Sequence, residues 1–323
     1  MLPAAGYSIF LETLVVAGLT ALLGLVGLFA APVFFFIALL LPVPPAYLVV
    51  KRSLGHGLLA LFLSAAMLLG VVGQLLPVLW LLLQFGLLGL ITGLLIKNRA
   101  NFERIAAVLL AWSLVAAAGN LIYSYALSGA GFSQVTAEID AAMQEMYRIY
   151  GQSGAVDEVG RQHLMEAADR MGYLVRVFLP GSTVVWTAAT TMASFFITRR
   201  VLQGFGYRTP GGLRFSELKL PWYSIWLIIA GLAMTLAGEE FTLELLGMAG
   251  KNILFVSAFI FFILGLSVSV YYLQAWRVAK AVKIIVAALV ILYLPFAVLA
   301  VGVLDPVVNL RRLPAGDDGK KGG

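Results

Sequence analysis

The sequence predicts an all-α fold, a polytopic transmembrane bundle of about nine crossings, on two observations. Apolar residues make up 61% of the chain and charged residues 12%, and the charges gather in short stretches between long uncharged runs. Each run is long enough to span a bilayer core, which takes about 20 apolar residues as a helix. The loops joining those runs also alternate in charge, as they do in a multi-pass protein.

The runs fall at Leu11 to Phe29, Val33 to Val50, Leu54 to Gly73, Leu75 to Ile96, Ile105 to Leu127, Val177 to Thr198, Pro221 to Ala237, Asn252 to Trp276 and Ile284 to Leu304. Only Ala30, Ala31 and Pro32 part the first two, and Pro42, Pro44 and Pro45 interrupt the second. Proline removes a donor and clashes with the preceding turn, so this segment is expected to be kinked, to end early or to re-enter.

Basic loops mark the cytoplasmic side. One set carries Lys51 and Arg52, then Lys97, Arg99 and Arg104, then Arg199, Arg200, Arg208, Arg214 and Lys219, then Arg277, Lys280 and Lys283. The alternating set is uncharged or acidic, with Gln74, a long acidic segment after the fifth run, and Glu239, Glu240 and Glu244. The expectation is a multi-pass cell-membrane protein with a cytoplasmic amino terminus and, if the ninth run crosses, an outer carboxyl tail. No cleavable signal peptide is expected, because the first run lacks a basic leader and leads straight into another apolar run.

The net charge of +6 is therefore an orientation signal. Its bases are dispersed over four loops, whereas a nucleic-acid surface gathers them on one face; no nucleic-acid partner is expected, and the lipid bilayer is the expected surrounding. Zero cysteines exclude disulfides, thiolate metal sites and cysteine nucleophiles. His56 and His163 are too few and too separated for a zinc site, and no cofactor is expected.

The chain divides into helices one to five over 1–127, an extracytoplasmic helical hairpin over 128–173, helices six to nine over 174–304 and a polar tail over 305–323. From Ser128 to Gly172 seven acids face three bases. Val135, Ile139, Met143, Met146 and Tyr150 recur at helical spacing, with Ser133 as a cap and Gly151 as a stop. A second helix is expected from Val156 toward Met171, with the turn at Gly151 to Gly154 between them. The pair is either a surface cover or a mobile lid over an outward-facing cavity.

No run has a charge near its midpoint; Glu12, Arg176, Glu239, Glu240, Lys251 and Asp305 lie at edges. Ion-coupled pumping normally needs such groups, so it is disfavoured. A phosphate-cradling Gly-Lys-Ser or Gly-Lys-Thr loop is missing, and Gly204, Gly206, Gly211 and Gly212 read as turn formers beside Thr209-Pro210. Glu239-Glu240 could serve as a general acid and base, but solvated carboxylates are ordinary at a helix end.

Uncharged polar residues carry more. Thr183, Thr187, Thr190 and Ser194 share one helix face. Thr187, Gln84 and Asn120 lie at about 10 to 15 Å below the outer ends of their helices, and Trp186 and Tyr123 could wall a pocket at that depth. The alternative is a packing surface whose hydroxyls bond back to their own carbonyls. Ala17, Ala21 and Gly24 on the first helix, and Gly86, Gly89 and Gly93 on the fourth, allow close approach of another helix. That helix could be internal or belong to a partner, and the internal use is favoured.

Gln84-Phe85-Gly86-Leu87-Leu88-Gly89, Leu179-Pro180-Gly181, Arg199-Arg200-Val201-Leu202, Phe215-Ser216, Leu220-Pro221-Trp222, Gly302-Val303-Leu304-Asp305 and Asn309-Leu310-Arg311-Arg312 resemble the YybS-like family. That is a group of predicted bacterial membrane proteins with a domain of unknown function. The family is in turn similar to the S components of energy-coupling-factor transporters, six-helix bundles that capture a small molecule outside. They dock on a transmembrane coupling subunit driven by ATPases. The resemblance implies that the first six runs form such a bundle in a bacterial inner membrane, and that Ala17 and Ala21 form the docking face. The long outer segment, three additional helices and the lack of a vitamin-binding signature depart from that pattern. The resulting expectation is a non-enzymatic, small-molecule-binding component of a solute-uptake system, with Gln84, Asn120, Tyr123, Trp186 and Thr187 at the ligand and no metal. The alternative is a membrane scaffold or regulatory subunit without a small ligand.

Overall fold

The computed structural model describes residues 4–123, 137, 140–142, 144–145, 148–149, 158–209, 215–276 and 279–312. Every regular element among them is helical. In chain order these are α1 Ala4–Phe29, α2 Phe34–Leu40, α3 Val43–Lys51, α4 Leu54–Val72, α5 Leu75–Leu81, a π-helical turn Leu82–Gly86, α6 Leu87–Lys97 and α7 Phe102–Ile122. Then come α8 Glu158–Gly204, 3₁₀ turns at Phe215–Glu217 and Trp222–Ile225, α9 Trp226–Glu240, α10 Glu244–Ala275, α11 Lys280–Tyr293 and α12 Pro295–Val308.

Among the described residues, seven helical segments are long and apolar enough to cross a membrane, or eight if α11 and α12 count as one broken span. The chain is thus a polytopic helix bundle, with two departures from the nine expected runs. The run Ile284 to Leu304 is not one straight crossing: α11 and α12 meet at 94°. Pro295 opens α12, and a residue before proline is pushed out of the helical region; Leu294 accordingly sits at φ −128°, ψ 41°. The run Val177 to Thr198 lies inside the 47-residue α8 and is not among the seven. Its polar residues lower its apolarity, but Thr187, Thr190, Thr191, Ser194 and Thr198 are buried while Phe196 is exposed.

The expected kink at Pro42 is present as a turn between α2 and α3, yet Phe34–Lys51 still qualifies as one span of 18 residues. The second arm of the expected hairpin does not stop near Gly172 but runs on as α8, through Gly172 and Pro180. A glycine costs a helix only about 1 kcal/mol. The first arm's apolar stripe, from Val135 to Tyr150, and the turn at Gly151 to Gly154 lie outside the described residues.

The chain divides into two compact units, Met1–Gly119 with Trp186–Gly212, and Asn120–Val185 with Leu213–Gly323. In the first, α1 lies on α4, where Ser64 Oγ donates to the Ala17 carbonyl at 2.9 Å and to its own Ala60 carbonyl at 2.7 Å. α3 lies on α6. A Cβ on Gly89 would meet the Pro42 carbonyl oxygen at 2.5 Å, and one on Gly93 that of Ala46 at 2.8 Å, so this glycine face seals the bundle from within. Leu88 and Ile96 of α6, Ile105 and Leu109 of α7, and Phe195 and Leu202 of α8 form a common core.

In the second unit α9 and α10 form a hairpin held by glycine. A Cβ on Gly238 would meet the Gly247 nitrogen at 2.3 Å, and one on Gly250 the Thr235 nitrogen at 2.5 Å. α12 crosses α10 at Gly265 and Gly302. The first part of α8 lies on α10, where the Phe178 and Phe255 rings pack tilted with centroids 5.2 Å apart.

Candidate functional site

The fourth span is interrupted at Leu82–Gly86 by the π turn, which contains Gln84. Such turns cost helix regularity and recur at functional sites. Phe85 is buried against Phe34 of α2, ring centroids 6.1 Å apart, while Gln84 itself is half-buried. One turn on, Leu88 enters the core shared by α6, α7 and α8. Trp112 of α7 packs against that core.

Two polar atoms at this core are buried with no hydrogen-bond partner among the described residues: Trp112 Nε1 and Thr198 Oγ1. Thr198 lies one turn from both Phe195 and Leu202, on the face of α8 that fills the same core. Most other hydroxyls of the α8 stripe are satisfied. Thr183 donates to Leu179 O at 2.9 Å, Thr190 to Trp186 O at 2.9 Å and Thr187 O at 3.1 Å, and Ser194 reaches Leu39 O of α2 at 2.9 Å. Much of the stripe is thus a packing surface.

The five residues expected at the ligand fall into different units. Gln84, Trp186 and Thr187 belong to the first, and Asn120 and Tyr123 to the second. Thr187 is buried, whereas Trp186 is 60% exposed and lies against Phe35 at 5.3 Å. Asn120 and Tyr123 are half-buried and already engage neighbours.

Ala17 and Ala21 are buried in the core of the first unit, Ala17 with Val16, Leu48 and Ala60, and Ala21 with Val49, Leu61 and Leu68. This is the internal use of the small-residue face. The resemblance assigned these two alanines to a docking face; in the structure they pack inside the unit, against α3 and α4.

One end of the first unit gathers the basic loops. Glu12 of α1 pairs with Lys51, and with Arg52 Nη2 at 2.8 Å. Lys97 donates to the Val49 carbonyl at 3.2 Å and to that of Arg52, capping the end of α3, where carbonyls lack partners and the dipole favours a cation. Tyr47 carries Lys51 over its ring and meets Phe205 at 5.3 Å and Tyr207 at 6.0 Å. Burial pushes the Tyr207 hydroxyl above its ordinary pKa. Lys97, Arg99, Arg104, Arg200 and Arg208 remain exposed around these residues.

Two polar centres in the second unit escaped the sequence reading. Asn252, read only as the start of an apolar run, accepts from the Gly181 N–H at 2.6 Å and donates to Val177 O at 2.7 Å and Met248 O at 2.8 Å. The signal available was an amide at the edge of an apolar run and a Pro-Gly pair elsewhere, with nothing to link them. The second is Arg311, whose side chain is fully buried against Asp305. Its five N–H groups all find acceptors: Asp305 Oδ1 at 3.3 Å and Oδ2 at 2.7 Å, Ser216 O and Ser267 Oγ at 2.8 Å each, and Leu218 O. Ser267 Oγ in turn donates to Phe215 O at 2.6 Å.

A family model described as Predicted membrane protein (DUF2232) matches residues 18–306. The comparisons with curated proteins and with solved structures found no match.

Proposed function

Since the chain belongs to the DUF2232 family of predicted membrane proteins, we propose that it is a non-enzymatic membrane component binding a small molecule within its first unit, between α6, α7 and α8. One observation carries this reading: Trp112 Nε1 and Thr198 Oγ1 are buried beside one core with no partner among the described residues. A buried donor left unpaired costs about 1 to 3 kcal/mol, and an occupant offering an acceptor would recover it. Gln84, on the π turn before α6, and buried Thr187 of α8 add polar groups in the same unit. The occupant that suits them is small, largely apolar and carries a carbonyl or carboxylate. YybS-like character and similarity to S components belong to this proposal, as does a role in solute uptake.

The test is native mass spectrometry of the purified protein together with its thermal melting. Trp112→Phe keeps the ring and removes the donor; Thr198→Val keeps the shape and removes the hydroxyl. Both should release a co-purifying small molecule while leaving the ligand-free protein as stable as before or more so. Wild-type protein that carries no small molecule and melts like both variants would sink the reading.

The exposed cations around Tyr47 and Tyr207 favour a second reading, a scaffold that holds an acidic partner at this basic end. It predicts salt-sensitive partner retention that Trp112→Phe leaves intact.

A further inference from the structure

The N–H of Gly181 and the carbonyl of Val177 are the pair that a regular helix bonds to each other, four residues apart. Pro180 lies between them and can neither donate nor fit its ring against the carbonyl of Arg176. The Asn252 amide engages both members of the pair, accepting from Gly181 N at 2.6 Å and donating to Val177 O at 2.7 Å. Gly181 makes room for this, since a Cβ there would lie 2.7 Å from Asn252 Oδ1.

We propose that Asn252, Pro180 and Gly181 form a two-state hinge in α8, on which the outer arm Glu158–Leu179 moves relative to the α9–α10 hairpin. In the observed state the amide bridges the two backbone groups. In the other the amide withdraws and Gly181 N–H bonds Val177 O directly. Neither state strands a backbone group, which in an apolar medium would cost several kcal/mol.

Neighbouring contacts hold the observed state. Lys251, next to Asn252, reaches the Tyr173 hydroxyl at 3.4 Å and Glu239 Oε1 at 3.3 Å, tying α8 to both helices of the hairpin. Phe178 packs on Phe255 one turn further along. Among the described side chains of the arm, Val159, Met165 and Met171 are exposed. The device rests on the second unit alone and is independent of a ligand in the first.

The absence of native cysteine makes the test direct. Spin labels at Met165→Cys on the arm and Leu245→Cys on α10, in the full chain in nanodiscs, report their distance by pulsed electron resonance. Asn252→Leu abolishes the amide-bridged state and should replace the main distance by another. Pro180→Ala, which favours the uninterrupted helix, should move the distribution the same way; it decides the matter if Asn252→Leu does not fold. Lys251→Met should populate both distances. A distribution unchanged by Asn252→Leu or, where that variant fails to fold, by Pro180→Ala, with only the melting temperature lowered, would show Asn252 to be a static cap and overturn the hinge.

Discussion

Asn252 Oδ1 accepts the Gly181 backbone N–H at 2.6 Å, joining helices whose residues lie 71 positions apart. The contact explains a glycine directly after a proline inside a long helix. Pro180 opens the backbone and Gly181 leaves space for the amide that closes it.

Gly181→Ala should therefore destabilise the chain, because its Cβ would displace the Asn252 amide. Asn252→Ala should also destabilise it, by about 0.5 to 1.5 kcal/mol for each hydrogen bond lost, because it removes the amide that bridges Gly181 and Val177. The double variant should cost clearly less than the sum, with a coupling of about 0.5 to 3 kcal/mol in a melting or denaturant series. Strict additivity would separate the two residues.

Arg311→Met should cost about 3 to 5 kcal/mol, since it leaves the Asp305 carboxylate buried without its cation. Adding Asp305→Leu should return much of that stability, because the charge that needed a partner is gone. Thermal midpoints of the two single variants and the double decide it. A double variant as unstable as Arg311→Met would place the cost in the lost bonds to Ser216 and Leu218 instead.

Gly302→Ala should weaken the packing of α12 on α10, where the added Cβ would lie 1.9 Å from the Phe261 carbonyl oxygen. Overpacking of this kind typically costs about 1 to 3 kcal/mol. Gly18→Ala and Gly70→Ala meet nothing within 4 Å and should be neutral or slightly stabilising, as alanine is the better helix former. Equal melting of all three variants would contradict the crossing.

Single cysteines at Ser53, Asn101 and Gly206 should label from one side of the membrane, because Glu12, Lys51, Arg52 and Lys97 meet at one end of the first unit. A cysteine at Gln152 should label from the opposite side if α8 crosses. Labelling of Gly206 and Gln152 from the same side would remove that crossing.

Much of the fold was legible in the chain because its signals are local. Pro42 marked the break between α2 and α3, and Gly89 and Gly93 marked a face of close approach. Pro295 carried the signal for the bend between α11 and α12, but an apolar run on both sides of it read as one helix. The candidate site was less legible. Thr187 and Gln84 stood out as polar residues in apolar runs, whereas Trp112 looks like any aromatic residue until its indole nitrogen is seen buried and unpaired.

The sequence by itself determined that this is a multi-pass helical membrane protein, since whether a run of about 20 residues suits a bilayer depends on its own apolarity and flanking charges. Tertiary structure alone decided which polar groups meet. Asn252 finds Val177 across 75 positions and Arg311 finds Ser216 across 95, while Ala17 is buried with Leu48 and Ala60. Such choices depend on how helices pack, and in an apolar medium a polar side chain bonds whatever donor or acceptor that packing brings within reach.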